Sequence, residues 1–421
     1  MTGLIVFLAL ATGLYMAWTI GANDVANAMG TSVGSGALTL RRAIIVAGTF
    51  EFAGAVLVGS HVTETIRKGI LDPAFFGPAG AFGADGPIIL ALGMTAALLA
   101  AALWLQGATM AGLPVSTTHS IVGAVVGFGL MAVGMSGIHW GTLGSIVASW
   151  VVSPALGGVL GFLAFVVVRR LVLRKDDPVA ATRSVTPYLV GLVGFILALT
   201  FVYKALKNVL PDPHPVVTTL AAAAFGGAAT LVFRSRMRAP PPALVQRDPM
   251  RYVESVFGWL QIVTAAFVAF AHGANDVANA VGPLAAVVGI AGEGFARVPQ
   301  TIPVSGWLLA VGGVGIVIGL ATWGYRVIAT IGKRITEITP TRGFAAEFGA
   351  ACTVLVASRL GLPVSTTHVL VGSVVGVGFA QGLAALDLRT VRDIVYSWIA
   401  TVPAAAALGA ALFWVLKAVF V

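Results

Sequence analysis

The residues best suited to chemistry in this chain come from two octapeptides, each present twice. GANDVANA occupies Gly21 to Ala28 and, unchanged, Gly273 to Ala280; GLPVSTTH occupies Gly112 to His119 and, unchanged, Gly361 to His368. Within GANDVANA, Asn23, Asp24 and Asn27 offer side-chain oxygens inside five residues. Asn23 and Asn27 are one helical turn apart, and Asp24 lies three before Asn27. Carboxylate and amide oxygens suit a small hard cation, so Asp24 and Asp276 are expected to hold sodium rather than a transition metal. Asn275, Asp276 and Asn279 repeat the set. Asn and Asp could simply cap half-helices, but two identical octapeptides make that the weaker reading.

GLPVSTTH reads as a helix start. Gly and Pro stop the preceding helix, and Ser and Thr supply N-cap hydroxyls before an apolar helical run. Free backbone N–H groups at the positive end of a helix dipole form a site for phosphate or another oxyanion. Ser116, Thr117 and Thr118 add hydroxyl donors, as do Ser365, Thr366 and Thr367. Ordinary capping explains one such box; two boxes facing each other favour a tetrahedral ligand with oxygens to satisfy on both sides.

Neither motif contains Lys or Arg, and an anion beside two carboxylates is repelled strongly where the dielectric is low. Cations must fill the gap, so anion and cation are expected to bind and cross together, the logic of a symporter. His119, His368 and His272, the last just before the second GANDVANA, could carry protons, donate to the anion or make structural hydrogen bonds. Glu51 in FEFAGA and Glu347 in AEFGAA are candidates for cation relay or interhelical contact. Their positions are not equivalent: Glu51 precedes its GLPVSTTH by 61 residues and Glu347 by 14. Ser116 with His119 could be named a nucleophile and base, but no HExxH is present and a duplicated site is not how hydrolytic dyads are built. An enzyme is not expected. An anion channel is the nearer alternative, and flux independent of a cation gradient would favour it.

The elements that position these residues must lie in a membrane. Of 421 residues, 58% are hydrophobic and 10% charged, against roughly 45–50% and about 25% in soluble domains. Mean hydropathy is +0.96, and 52 glycines fit close helix packing in lipid. The net charge of +9 does not indicate nucleic acid, because the cations fall between apolar spans rather than on a soluble face. Cys352 is the single cysteine and permits no intramolecular disulfide. The amino-terminal run lacks a signal peptide's basic region and cleavage site, so it reads as a mature span. An intramembrane Asp costs roughly 2.5–3.5 kcal/mol on insertion scales, which marks Asp24 and Asp276 as functional.

The motif offsets of 252 and 249 residues divide the chain into two homologous halves, 1–168 and 255–421, with a connector at 169–254. Ser149 and Trp150 before Pro154 echo Ser397 and Trp398 before Pro403. At about 20 residues per crossing, the first half holds spans at 3–40, 43–60, 87–108, 113–133 and 142–168. The connector holds 187–206 and 216–233, and the second half 256–288, 304–325, 344–357, 362–380 and 394–421. The first span of each half runs through GANDVANA and is expected to be interrupted there. With both termini outside, 18 of the 25 cations fall in cytoplasmic loops, as positive charge in short loops requires. Trp140 and Tyr188, near span ends, read as interface anchors. An odd number of crossings before the second half makes the repeats inverted, an arrangement of secondary transporters with the site at the repeat interface.

With these four boxes in this order, the chain resembles the inorganic phosphate transporter family, the sodium- or proton-coupled phosphate symporters, over nearly its whole length. The resemblance implies an all-α membrane protein of about twelve transmembrane elements with broken or re-entrant helices, extracellular termini and inverted repeats. It implies that Asp24, Asp276, Glu51, Glu347, Ser116 and Ser365 match the family's functional positions. The expected ligands are inorganic phosphate and sodium, with protons or sulfate as alternatives, and the expected surroundings are the plasma (inner) membrane bilayer and a second copy in a homodimer. No cofactor beyond co-transported sodium is expected. The large hydrophilic central loop of animal relatives is missing; only 234–253 remains.

Overall fold

A computed structural model of the protein describes residues 2–59, 70–77, 79–205, 213–237, 246–299, 304–359 and 364–421. Nearly all of them are helical. Among the described residues, strand pairing is limited to two isolated antiparallel bridges, Leu71 with Ile138 and Thr336 with Leu386. The helices are α1 (Thr2–Asn23), α2 (Val25–Gly34), α3 (Leu40–Val58), α4 (Gly86–Met110), α5 (Thr117–Val133), α6 (Trp140–Val168) and α7 (Pro178–Thr200). They continue as α8 (Pro215–Arg236), α9 (Pro249–Gly292), α10 (Gly306–Trp323), α11 (Tyr325–Lys333), α12 (Pro340–Arg359), α13 (Thr366–Gln381) and α14 (Leu388–Phe420).

Among the described residues, eight helical stretches are long and apolar enough to cross a membrane: Thr2–Gly34, Gly83–Met110, Trp140–Leu173, Pro178–Tyr203, Pro215–Arg236, Pro249–Gly292, Gly306–Trp323 and Leu388–Phe420. The other four spans expected from sequence fall on α3, α5, α12 and α13, which are shorter or carry charge. The protein is a multi-pass membrane protein. Large apolar side chains such as Phe7, Val151, Trp259 and Ile399 are exposed, as a lipid-facing surface demands.

The interruption expected at both GANDVANA copies occurs at one. Asp24 alone separates α1 from α2, and even there its N–H donates to Ile20 O at 2.8 Å with φ −89° and ψ −30°. The second copy lies inside the 44-residue helix α9 without a break. At the second copy the helix runs on unbroken, so unwound carbonyls do not supply ligands there. The breaks fall instead at Gly324, between α10 and α11, and at the GLPVS segment between α4 and α5.

Small residues bring the motif helices against their partners. A Cβ on Gly21 would lie 1.8 Å from Ile316 O on α10, and one on Gly273 would lie 2.1 Å from Glu51 O on α3. The glycine that opens each GANDVANA is therefore a helix-crossing point. Each box helix packs on the last helix of the other half, α5 on α14 and α13 on α6. That exchange draws the two boxes together.

Candidate functional site

The first box is built by a helix stop and a helix start. Gly112, at φ +68°, donates to Thr109 O at 3.0 Å, and Leu113 N donates to Ala108 O at 2.9 Å, closing α4 in a Schellman turn. Ser116 is extended and caps α5, its Oγ accepting from His119 N at 3.3 Å. Ser365 caps α13 in the same way through His368 N at 3.3 Å. Residues 361–363 of the second box lie outside the described residues. Asn23 secures the first box. Its Nδ2 donates to Thr109 Oγ1 at 2.9 Å and Leu113 O at 3.1 Å, and its Oδ1 accepts from Val115 N at 3.1 Å.

Both aspartates and both boxes meet in one cluster. Thr117 donates to Asp24 Oδ2 at 2.7 Å, and Thr367 donates to Asp24 Oδ1. One carboxylate is thereby held by hydroxyls from both boxes. Asp276 accepts from Thr366 at 3.1 Å, from Asn275 at 2.8 Å and, at a longer 3.5 Å, from Asn279. Asn279 also donates to Thr117 Oγ1 at 3.0 Å and Thr118 Oγ1 at 3.3 Å. Asp24, Asp276, Asn279, Thr117 and Thr367 are buried. The side chain of Asn27 lies outside the described residues.

His272 sits among three carboxyl groups. Its Nδ1 is 2.8 Å from Glu51 Oε1, and its Nε2 is 2.6 Å from Asp276 Oδ2 and 3.7 Å from Asp24 Oδ2. The Asp276 approach is close yet not aligned as a hydrogen bond. Neither motif contributes a Lys or Arg to this cluster. Three carboxyls gather round one imidazole; their oxygens are of the kind that bind a hard cation, and the hydroxyls beside them can serve an oxyanion.

Glu51 therefore belongs to the centre, whereas Glu347 does not. Glu347 is buried in a separate nest, accepting from Thr31 at 2.6 Å, Ser32 at 3.0 Å, Gln261 at 3.2 Å and Thr264 at 2.5 Å. Thr31 and Ser32 lie two turns beyond Asp24 on α2, about 11 Å along the axis. Nothing in their local sequence singles these four partners out; only the packing of α2, α9 and α12 assembles them.

His119 and His368 face each other with ring centroids 4.3 Å apart. Trp150 covers His119 at 3.6 Å and Trp398 stacks on His368 at 3.7 Å. Trp398 also donates to Pro114 O at 3.0 Å, joining the second box's histidine to the first box's proline. The matched Ser-Trp pairs ahead of Pro154 and Pro403 were the sequence signal for these tryptophans.

A family model described as the phosphate transporter family matches residues 20–409. A protein of Pyrococcus abyssi (strain GE5 / Orsay) named as a phosphate permease is 46% identical over 415 residues, covering 97% of each chain. The chloroplastic inorganic phosphate transporter 2-1 of Arabidopsis thaliana is 45% identical, covering 98% of this chain and 72% of its own. A solved structure described as the sodium-dependent phosphate transporter is similar at TM-score 0.87 and 43% identity, over 99% of this chain and 100% of that one.

Proposed function

Because the chain belongs to the phosphate transporter family, a family of transporters and not of enzymes, we propose that it carries inorganic phosphate across the plasma membrane in symport with sodium. The observation that carries this reading is the pair of threonines, one from each box, on the single carboxylate of Asp24. A hydroxyl has one proton to donate and lone pairs to accept with. While Thr117 and Thr367 donate to Asp24, they cannot donate to a phosphate oxygen. Sodium on Asp24 takes the place of those protons, and the hydroxyls turn them toward the anion. Asp276 with Thr366 does the same on the other side.

Asp24, Asp276, Asn275 and Asn279 are the sodium ligands in this reading, while Asn23 holds the first box in place and Asn27 stands one turn further along the same motif. Ser116, Thr117, Thr118, Ser365, Thr366 and Thr367 surround the phosphate. Ser116 and Ser365 accept their cap bonds through lone pairs, which leaves each O–H proton to donate. Glu347 in its nest and Glu51 on His272 serve as coupling groups along the cation's route. His119 and His368, packed between the tryptophans, hold the boxes in register. The fold is read as inverted repeats, 1–168 and 255–421, around the connector 169–254, with both termini outside and the protein paired as a homodimer.

His272 supports a second reading. An imidazole bridging Glu51 and Asp276 is a proton carrier already in place, which suits proton coupling. Phosphate uptake into proteoliposomes under separately imposed sodium and proton gradients separates the two. Uptake driven by sodium at equal pH supports symport with sodium; uptake driven only by the proton gradient replaces it, and uptake indifferent to both makes the protein a channel.

A further inference from the structure

A groove of about 870 Å³ opens on the membrane surface between α6 and α14. Its walls are apolar: Pro154, Val159 and Phe162 on α6, Val375 and Phe379 on α13, Val395 on α14. α13, the helix that begins at the second box, forms the floor. Along α6 the lining runs from Val151 to Leu163, about 18 Å at 1.5 Å per residue. That is a little over half of the ~30 Å hydrocarbon layer, the depth of one leaflet.

Beyond the last lining residues of the groove, Leu163 on α6 and Phe379 on α13, lie nitrogen donors without acceptors. Arg169 follows α6 and donates through Nη1 to Ala380 O at 2.6 Å, yet its buried Nε has no hydrogen-bond partner. Gln381, the next residue on α13, has a buried Nε2 in the same condition. Donors left unsatisfied past the end of the groove call for an oxygen-rich acceptor. On α14 Arg392 pairs with Asp393 at 2.9 Å, whereas Arg169 forms no ion pair among the described residues.

We propose that this groove binds an anionic phospholipid, one acyl chain lying between α6 and α14 with the phosphate headgroup at Arg169 and Gln381. Basic pockets between membrane helices take acidic headgroups by the same chemistry. The inner end of the groove is Trp398, which stacks on His368 and donates to Pro114. An acyl chain there presses on a side chain that, like Asp24, joins the two boxes. Lipid occupancy therefore stiffens the site and raises transport.

Native mass spectrometry of the purified protein, delipidated and then exposed to equimolar phosphatidylglycerol and phosphatidylcholine of identical chains, tests this. The wild type should retain phosphatidylglycerol at least tenfold over phosphatidylcholine. Arg169→Gln should abolish that preference, and Val395→Trp, which fills the groove from an accessible position, should lower retention of both lipids. Val159→Trp on the opposite wall repeats the test should Val395→Trp fail to fold, with unfolding midpoints in detergent as the control. Equal retention of the two lipids by the wild type, or an unchanged preference in Arg169→Gln, overturns the proposal. So does a groove filled by a second copy, seen as conversion of dimer to monomer by Val395→Trp with lipid retention unchanged.

Discussion

A threonine hydroxyl that donates to a carboxylate has no proton left for a phosphate, and in the proposed symport that exclusion is the coupling at the residue scale. Thr117→Val and Thr367→Val remove a hydroxyl that, in the proposed symport, serves both ligands. Each should weaken phosphate binding by about 1–3 kcal/mol, the cost of leaving part of a buried polar group unsatisfied, and should shrink the gain that sodium confers. Isothermal titration in sodium buffer measures both. Asp24→Asn keeps one acceptor oxygen for one of the two threonines and presents an amide N–H that the other's hydroxyl can accept, so the protein should insert and purify as a folded species while sodium-driven uptake is lost. Normal uptake with unchanged sodium dependence in Asp24→Asn and Asp276→Asn would reduce these carboxylates to structural acceptors. Ser116→Ala and Ser365→Ala should cost about 1 kcal/mol of stability each through the lost cap, besides weakening phosphate.

At the scale of the element, the site depends on how closely four helices approach. Gly273→Ala places a Cβ 2.1 Å from Glu51 O, and Gly21→Ala places one 1.8 Å from Ile316 O. Overpacking of this kind costs about 1–3 kcal/mol or more. Both variants should lower the unfolding midpoint in detergent, while Gly107→Ala, whose added Cβ meets nothing within 4 Å, should leave it unchanged. Equal midpoints in all three would remove the glycines' role in helix approach. These contacts also explain what was legible in sequence. The box turn was readable because Gly112, Pro114 and Ser116 act locally, through a left-handed turn and a cap. The break expected in α9 was not realised, because the polar side chains of Asn275, Asp276 and Asn279 find partners without unwinding the backbone. The nest around Glu347 and the Trp398–Pro114 bond join residues at least 83 positions apart, beyond the reach of any local pattern.

At the scale of the whole molecule, His139 before α6 and Arg389 at the start of α14 occupy matching places in the two halves. Inversion puts them on opposite membrane faces. Single cysteines at these exposed positions, in a Cys352→Ser background, should react with an impermeant maleimide from opposite sides of oriented vesicles; reaction from one side would undo the inverted arrangement. The molecule's central property is its charge balance. Three carboxyls surround the imidazole of His272, neither motif contains Lys or Arg, and helix ends worth about half a charge each cannot offset the carboxylates. Calorimetric titration of phosphate into the purified protein, in sodium buffer and in choline buffer at two pH values, tests that balance most directly. The account predicts binding in sodium and almost none in choline, with phosphate raising sodium affinity by the same factor. Equal phosphate affinity in both buffers at both pH values would contradict it.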